Sequence, residues 1–221
     1  ILEGQTLTDQ NLKKQALESY LEAYEHFKAT NNDKNLAMTL SSIAMLYDGS
    51  GDSAKAIEYY REGLSLLDHE KEAYSVSVLH FNLGAAYIRS GDKTSALESF
   101  NQALSISTQI NDMSGQAYAA SQIARMEREN GNLEKAIQQY ELVLSIHKKT
   151  QDLPMIILTN VSLAKTYLVA QDFDKCAHYL VEAEKLVSSV DNMDIKIAVV
   201  KTQSELYEQK GDFQSALQTL K

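Results

Sequence analysis

Asn82–Phe100, NLGAAYIRSGDKTSALESF, decides the fold, because its residue types recur along the chain every forty positions. Tyr47, Tyr87, Tyr167 and Tyr207 share one column of that repeat, with Glu127 as the exception. Further along stand Gly51, Gly91, Gly131 and Gly211, with Gln171 as the departure, each followed by an acid or amide: Asp52, Asp92, Asn132, Asp172 and Asp212. Next come Ala56, Ala96, Ala136, Cys176 and Ala216, then Tyr60, Phe100, Tyr140, Leu180 and Leu220. Upstream, Ile43, Leu83, Ile123 and Leu163 precede Ala44, Gly84, Ala124 and Ala164. A repeat kept in phase over this length marks a chain built by stacking one supersecondary unit.

The columns have a mechanical meaning. Leu40, Ile43, Ala44 and Tyr47 lie at i, i+3, i+4 and i+7, one face of an α-helix, and Ala56, Ile57, Tyr60 and Leu64 repeat that spacing. The glycine between them suits a left-handed residue that ends the first helix, and the following acid or amide can accept from free N–H groups at the start of the second. Each repeat therefore reads as a helical hairpin, with small residues in the columns of Ala44 and Ala56 for close approach. A non-glycine residue held left-handed costs roughly 1 kcal/mol or more, so the turn at Gln171 is expected to differ from the others.

Leucine, small residue, tyrosine, glycine, acid and alanine in this order resemble the tetratricopeptide repeat, and Asn82–Phe100 matches it at nearly every signature position. The resemblance covers about residues 36–221 plus a half repeat ahead of them. It departs in its longer period, against about thirty-four for the usual form, and in lacking a closing proline. The longer period resembles the variant of bacterial peptide-sensing regulators, kinesin light chains and helical segments that precede signalling domains. The resemblance implies an all-α, right-handed superhelical solenoid of antiparallel helix pairs, with a concave groove lined by the first helix of each pair.

Composition agrees with an all-helical chain and excludes several classes of partner. Of 221 residues 44% are hydrophobic and one is proline; 21 Lys and Arg face 30 Asp and Glu, a net charge of −9. That charge disfavours phosphate backbones, so nucleic acid is not expected as a partner. Apolar runs such as Met155 to Leu158 fall far short of the roughly 20 residues that span a bilayer, and no direct membrane contact is expected. With no signal-peptide pattern the expected site is cytoplasmic, or periplasmic if an export signal was removed ahead of Ile1. The single Cys176 stands in the alanine column and reads as a small buried residue.

The repeats place one solenoid over 1–221: a half repeat at about 9–30, then hairpins at about 34–68, 72–110, 113–150, 153–190 and 193–221. The first helix of the leading repeat is read as missing or degenerate. Pro154 falls in the first turn of a helix, where its missing N–H is harmless. Stopping inside a second helix, the chain reads as an excerpt of a longer one.

No catalytic chemistry is visible. The five histidines are scattered, with no metal-ligand spacing and no phosphate-binding glycine loop, so neither a metal nor a cofactor is expected. His80 stands in a core column and reads as a packed histidine. Glu127, in the tyrosine column, is expected to pair with an arginine, because an unpaired buried carboxylate is costly. The chain is read as not an enzyme.

The informative surface is the stripe beside the core face of the first helices. Met38, Ser41, Ser42, Met45 and Asp48 form it in one repeat; Val78, Phe81, Asn82, Ala85 and Ile88 in the next; then Tyr118, Ser121, Gln122, Arg125 and Arg128; then Leu158, Val161, Ser162, Lys165 and Leu168. By resemblance this stripe lines the groove, and Met45, Val78, Phe81, Asn82, Tyr118, Gln122, Arg125, Arg128 and Lys165 are the candidate contacts. The lining is apolar early and basic in its middle, which suits a protein or peptide segment with apolar anchors and an acidic group or carboxylate terminus. The lysine, asparagine and arginine set that clamps chaperone tails is absent, since Ser41, Met45, Asn82, Tyr118 and Gln122 hold those places. Two functions follow: a non-catalytic scaffold that binds a peptide in its groove, or the sensory input segment of a longer bacterial signalling protein such as a histidine kinase, diguanylate cyclase or helix-turn-helix regulator.

Overall fold

Hairpin follows hairpin, as the columns require. The computed structural model describes residues 2–219, with side chains from residue 11 onward; Ile1, Leu220 and Lys221 lie outside the described residues. Among those described are eleven helices and no strand: α1 (Leu2–Ala29), α2 (Asp33–Asp48), α3 (Ser53–Leu66), α4 (Ala73–Ser90), α5 (Lys93–Gln109), α6 (Met113–Glu129), α7 (Leu133–Thr150), α8 (Leu153–Val169), α9 (Phe173–Val187), α10 (Met193–Gln209) and α11 (Phe213–Thr219). The leading helix α1 runs unbroken from Leu2 rather than from near residue 9.

The turn inside each hairpin is closed by backbone bonds. Between α4 and α5, Gly91 sits at φ 86° and donates its N–H to Ile88 O at 3.1 Å, while Asp92 N–H donates to Tyr87 O at 3.0 Å. The Asp92 carboxylate then accepts from Ser95 N–H at 3.0 Å and so caps α5. The expectation that Gln171 makes a different turn is overturned. Gln171 sits at φ 57°, its N–H donates to Leu168 O at 3.1 Å, Asp172 N–H donates to Tyr167 O at 2.9 Å, and Asp172 caps through Lys175 N–H at 3.1 Å. All the closing bonds use main-chain atoms, and the packing of α8 on α9 fixes where both helices end, so an exposed glutamine is held left-handed despite its intrinsic cost.

At Asn132 the cap fails for a readable reason. Its side chain makes no cap bond; its Nδ2 instead donates to Glu127 Oε2 at 2.7 Å. Glu127 is only 7% exposed, so the expected arginine partner is replaced by an amide five residues on. The one acid in the tyrosine column and the missing cap bond at Asn132, where Asp52, Asp92, Asp172 and Asp212 all cap, explain each other.

The chain forms two compact units, Ile1–Ala119 and Ala120–Lys221. In the first, α2 packs on α1 and α3, and α4 on α3 and α5. Gly84 of α4 lies under the Phe100 ring so closely that a Cβ there would come within 2.9 Å of it. Full burial of a side chain such as Phe100 contributes roughly 1.5–3 kcal/mol. Two successive hairpins are also tied by charge: Asp48, 6% exposed at the end of α2, accepts from Arg89 Nε at 2.6 Å and from its Nη2, and from Ser53 Oγ at 3.2 Å. In the second unit α8 packs on α7, α9 and α10. Its core gathers Tyr140, Leu163, Ala164, Tyr167, Cys176, Leu180 and Leu206. Cys176 is fully buried, and burial pushes its thiol up to about 11, which leaves it inert as a nucleophile.

Candidate functional site

In the first unit the spacing Tyr74, Val78, Phe81 puts three apolar side chains on one face of α4 at i, i+4 and i+7. With Tyr118 of α6 they wall a cleft of about 170 Å³ that also meets Asp112 and Gly115. Phe81 is held in place on two sides, its ring centroid 5.5 Å from that of Phe100 and 6.1 Å from that of Tyr118. Tyr74 and Tyr118 are 63% and 62% exposed, so the cleft opens between two rings that the core does not use. Of the residues that the sequence singles out, Val78, Phe81 and Tyr118 thus meet in one place. Met45 stands exposed on α2 and Asn82 half-buried on α4, neither of them lining this cleft. Asp48 and Ser41, from the same stripe, are buried instead, Asp48 in its pairing with Arg89.

In the second unit the basic residues have unlike surroundings. Arg125 is exposed and donates from Nη2 to Gln122 Oε1 at 2.7 Å, so the two form one bonded pair on α6. Arg128 lays its guanidinium 5.9 Å from the Tyr140 ring centroid and is half-buried there, a packing position. Lys165, on α8, is half-buried with no ion pair among the described residues.

Sequence reasoning missed Tyr74 and Asp112. Tyr74 lies one turn ahead of the columns compared, and the i, i+4, i+7 relation of Tyr74, Val78 and Phe81 is the signal that finds it. Asp112, ahead of α6, stands in the acid-or-amide column of Asn32, Asp152 and Asn192, whose signal is a helix cap and not a cleft.

Other cavities are less suited to a partner. A cleft of about 420 Å³ bounded by α3, α4 and α5 is lined by Arg61, His80, Tyr87 and Glu98 among others. His80 is half-buried there, as a packed histidine should be, but its Nδ1 is buried with no hydrogen-bond partner among the described residues. Desolvation, and then nearby His69, lower its pKa. A shallow cleft of about 650 Å³ lies along a single helix, α10. Among the described residues no three His, Cys, Asp or Glu side chains come together to hold a metal ion, and no helix is long and apolar enough to cross a membrane.

Comparison with known proteins follows the same lines. Tetratricopeptide repeat profiles match residues 4–69, 77–109 and 116–150, and no curated protein sequence matches. Among solved structures, BtubC (BKLC) from P. vanneervenii superposes with a TM-score of 0.80 at 19% identity over 94% of this chain and 87% of that one. A putative kinesin light chain of Podosopora anserina with nearly identical TPR-like repeats gives 0.67 at 19% over 83% and 90%. A Rap protein complexed with competence and sporulation factor gives 0.63 at 16% over 85% of this chain and 51% of its own. With these repeat matches on this hairpin architecture, the chain belongs to the tetratricopeptide repeat family, an all-α solenoid of helical hairpins.

Proposed function

We propose that the chain is a non-catalytic scaffold that holds a protein or peptide segment, with Met45, Val78, Phe81, Asn82 and Tyr118 as contacts in the first unit and Gln122, Arg125 and Lys165 as contacts in the second. The observation that carries this reading is the open aromatic cleft on Val78, Phe81 and Tyr118: the exposed rings beside it, Tyr74 and Tyr118, do nothing for the core, and they supply apolar contact area at little entropic cost. Arg125 and Lys165 support it from the second unit as cations with no carboxylate partner among the described residues, in a chain of net charge −9. They suit an acidic group or carboxylate terminus on the partner. Arg128 drops to a packing role over Tyr140. A Rap protein of similar fold, solved in complex with competence and sporulation factor, supports reading this fold as one that holds a partner.

The test is affinity capture with the wild type and with Arg125→Glu plus Lys165→Glu, helicity being checked by circular dichroism. Charge reversal at two contacts is expected to lower retention of the specific partner at least about tenfold. A folded double variant that captures as the wild type does would sink the reading.

A further inference from the structure

We propose that the cleft framed by Tyr74, Phe81 and Tyr118 is an aromatic cage for an alkylated ammonium group, presented by the partner as a lysine side chain, methylated or not. The proposal rests on the peptide-binding reading above and names the group that enters first-unit residues.

Three rings and one carboxylate converge on this cavity, with Asp112 its single charged lining residue. The face of an aromatic ring carries negative charge density and attracts a cation within about 6 Å of the centroid. Several faces around one cavity replace the water that an alkylammonium group gives up, and Asp112 adds the opposite charge. Of the two serines that line it, Ser77 already spends its hydroxyl as a donor to Ala103 O at 3.1 Å. The volume of about 170 Å³ is too small for the 300–1,000 Å³ typical of whole small-molecule sites, but holds the head of one side chain.

The local sequence is arranged for this and nowhere repeated. Forty residues apart, the place of Tyr74 is held by Lys34, Ser114, Pro154 and Asp194, and that of Phe81 by Ser41, Ser121, Val161 and Lys201. Gly115 leaves the Asp112 carboxylate the room it occupies, since a Cβ at that position would collide with Asp112 Oδ2. An apolar side chain would fill the same space, but it would strip water from Asp112 without neutralising it, which costs free energy that a cation recovers.

Titration of the full chain with tetramethylammonium chloride, against sodium chloride at equal ionic strength, tests the cage by NMR of its tyrosines. Saturable shifts at Tyr74 and Tyr118 are expected, with neopentyl alcohol, an uncharged probe of like shape, binding at least about fivefold more weakly. Tyr118→Leu and Tyr74→Leu, both at exposed positions, are each expected to weaken tetramethylammonium about fivefold while leaving neopentyl alcohol unchanged, and Asp112→Asn to weaken it severalfold. Equal binding of the neutral probe overturns the proposal in favour of a plain apolar anchor, as does the absence of saturable shifts. A short peptide carrying trimethyllysine, compared with its norleucine counterpart, identifies the side-chain source: preference for the cation supports it, and indifference overturns it. Tetramethylammonium binding is expected to survive Arg125→Glu plus Lys165→Glu. Loss of partner capture in that double variant without any ammonium binding removes the cage and leaves the scaffold; the converse removes the scaffold and leaves the cage.

Discussion

The hairpins α4–α5 and α8–α9 are the same object made from different residues. In the first, Gly84 lies under Phe100 and Gly91 makes the turn; in the second, Ala164 and Leu180 share the core and Gln171 makes the turn. The closing hydrogen bonds are nonetheless equivalent, with Asp92 N–H on Tyr87 O at 3.0 Å and Asp172 N–H on Tyr167 O at 2.9 Å. What is kept is volume across the crossing and geometry at the turn. A smaller residue on one helix goes with a larger one on the other, and the turn conformation is imposed by the helices on either side rather than chosen by the residue that adopts it.

The sharpest way to break this equivalence is to overfill one crossing. Gly84→Leu drives a side chain into the Phe100 ring and is expected to cost roughly 1–3 kcal/mol, read from chemical melts. Gly84→Ala combined with Phe100→Leu copies the α8–α9 pair into α4–α5 and is expected to lose less than Gly84→Leu does. Unchanged stability in Gly84→Leu removes the idea of a close crossing there.

A smaller effect comes from exchanging the turn residues. Gly91→Gln is expected to destabilise by about 1 kcal/mol, and Gln171→Gly to stabilise by about 0.5–1 kcal/mol, since both positions are left-handed and only glycine holds that conformation without strain. Melts of the two variants should move in opposite directions. Movement in the same direction means that the glutamine side chain does something in its turn beyond occupying it.

The smallest effect is electrostatic. The Ser95 backbone N–H and then its hydroxyl hold the Asp92 carboxyl below its ordinary 3.8, so the cap contributes stability above that pH and loses it as pH falls through the lowered value. Ser95→Ala removes the hydroxyl donor, which sits 2.7 Å from Asp92 Oδ2. The Asp92 titration, followed by NMR, is expected to move up toward 3.8. No movement means that the backbone bond alone sets it.

Much of this was legible beforehand because the information is periodic. Tyr87, Gly91, Asp92 and Ala96 specify a hairpin through local rules of helix face, stop and cap, and copies of the pattern correct one another. The misread places are those where two residues conspire off the pattern. The Gln171 turn was misjudged because intrinsic propensity loses to tertiary packing. The partner of Glu127 was misjudged because an amide close in sequence, Asn132, gave up its own cap to reach it. The candidate contacts were half legible for a related reason. Columns find which side of a helix faces outward, as they did for Phe81 and Tyr118. They do not show that a residue of a cap column, such as Asp112, also lines a cleft.

Helix α8 carries a consequence for how the second unit comes apart. It is bracketed by two glutamines in the left-handed conformation, Gln151 at φ 56° and Gln171 at φ 57°. Ten of its residues are buried, including Ile157, Leu163 and Ala164 at 0% exposure. Strain at both ends is thus held down by one well-packed segment. An opening that frees α8 lets both turns relax at once, whereas neither turn relaxes while α8 stays docked. The helix and its two flanking turns therefore behave as one latch, open or shut as a piece.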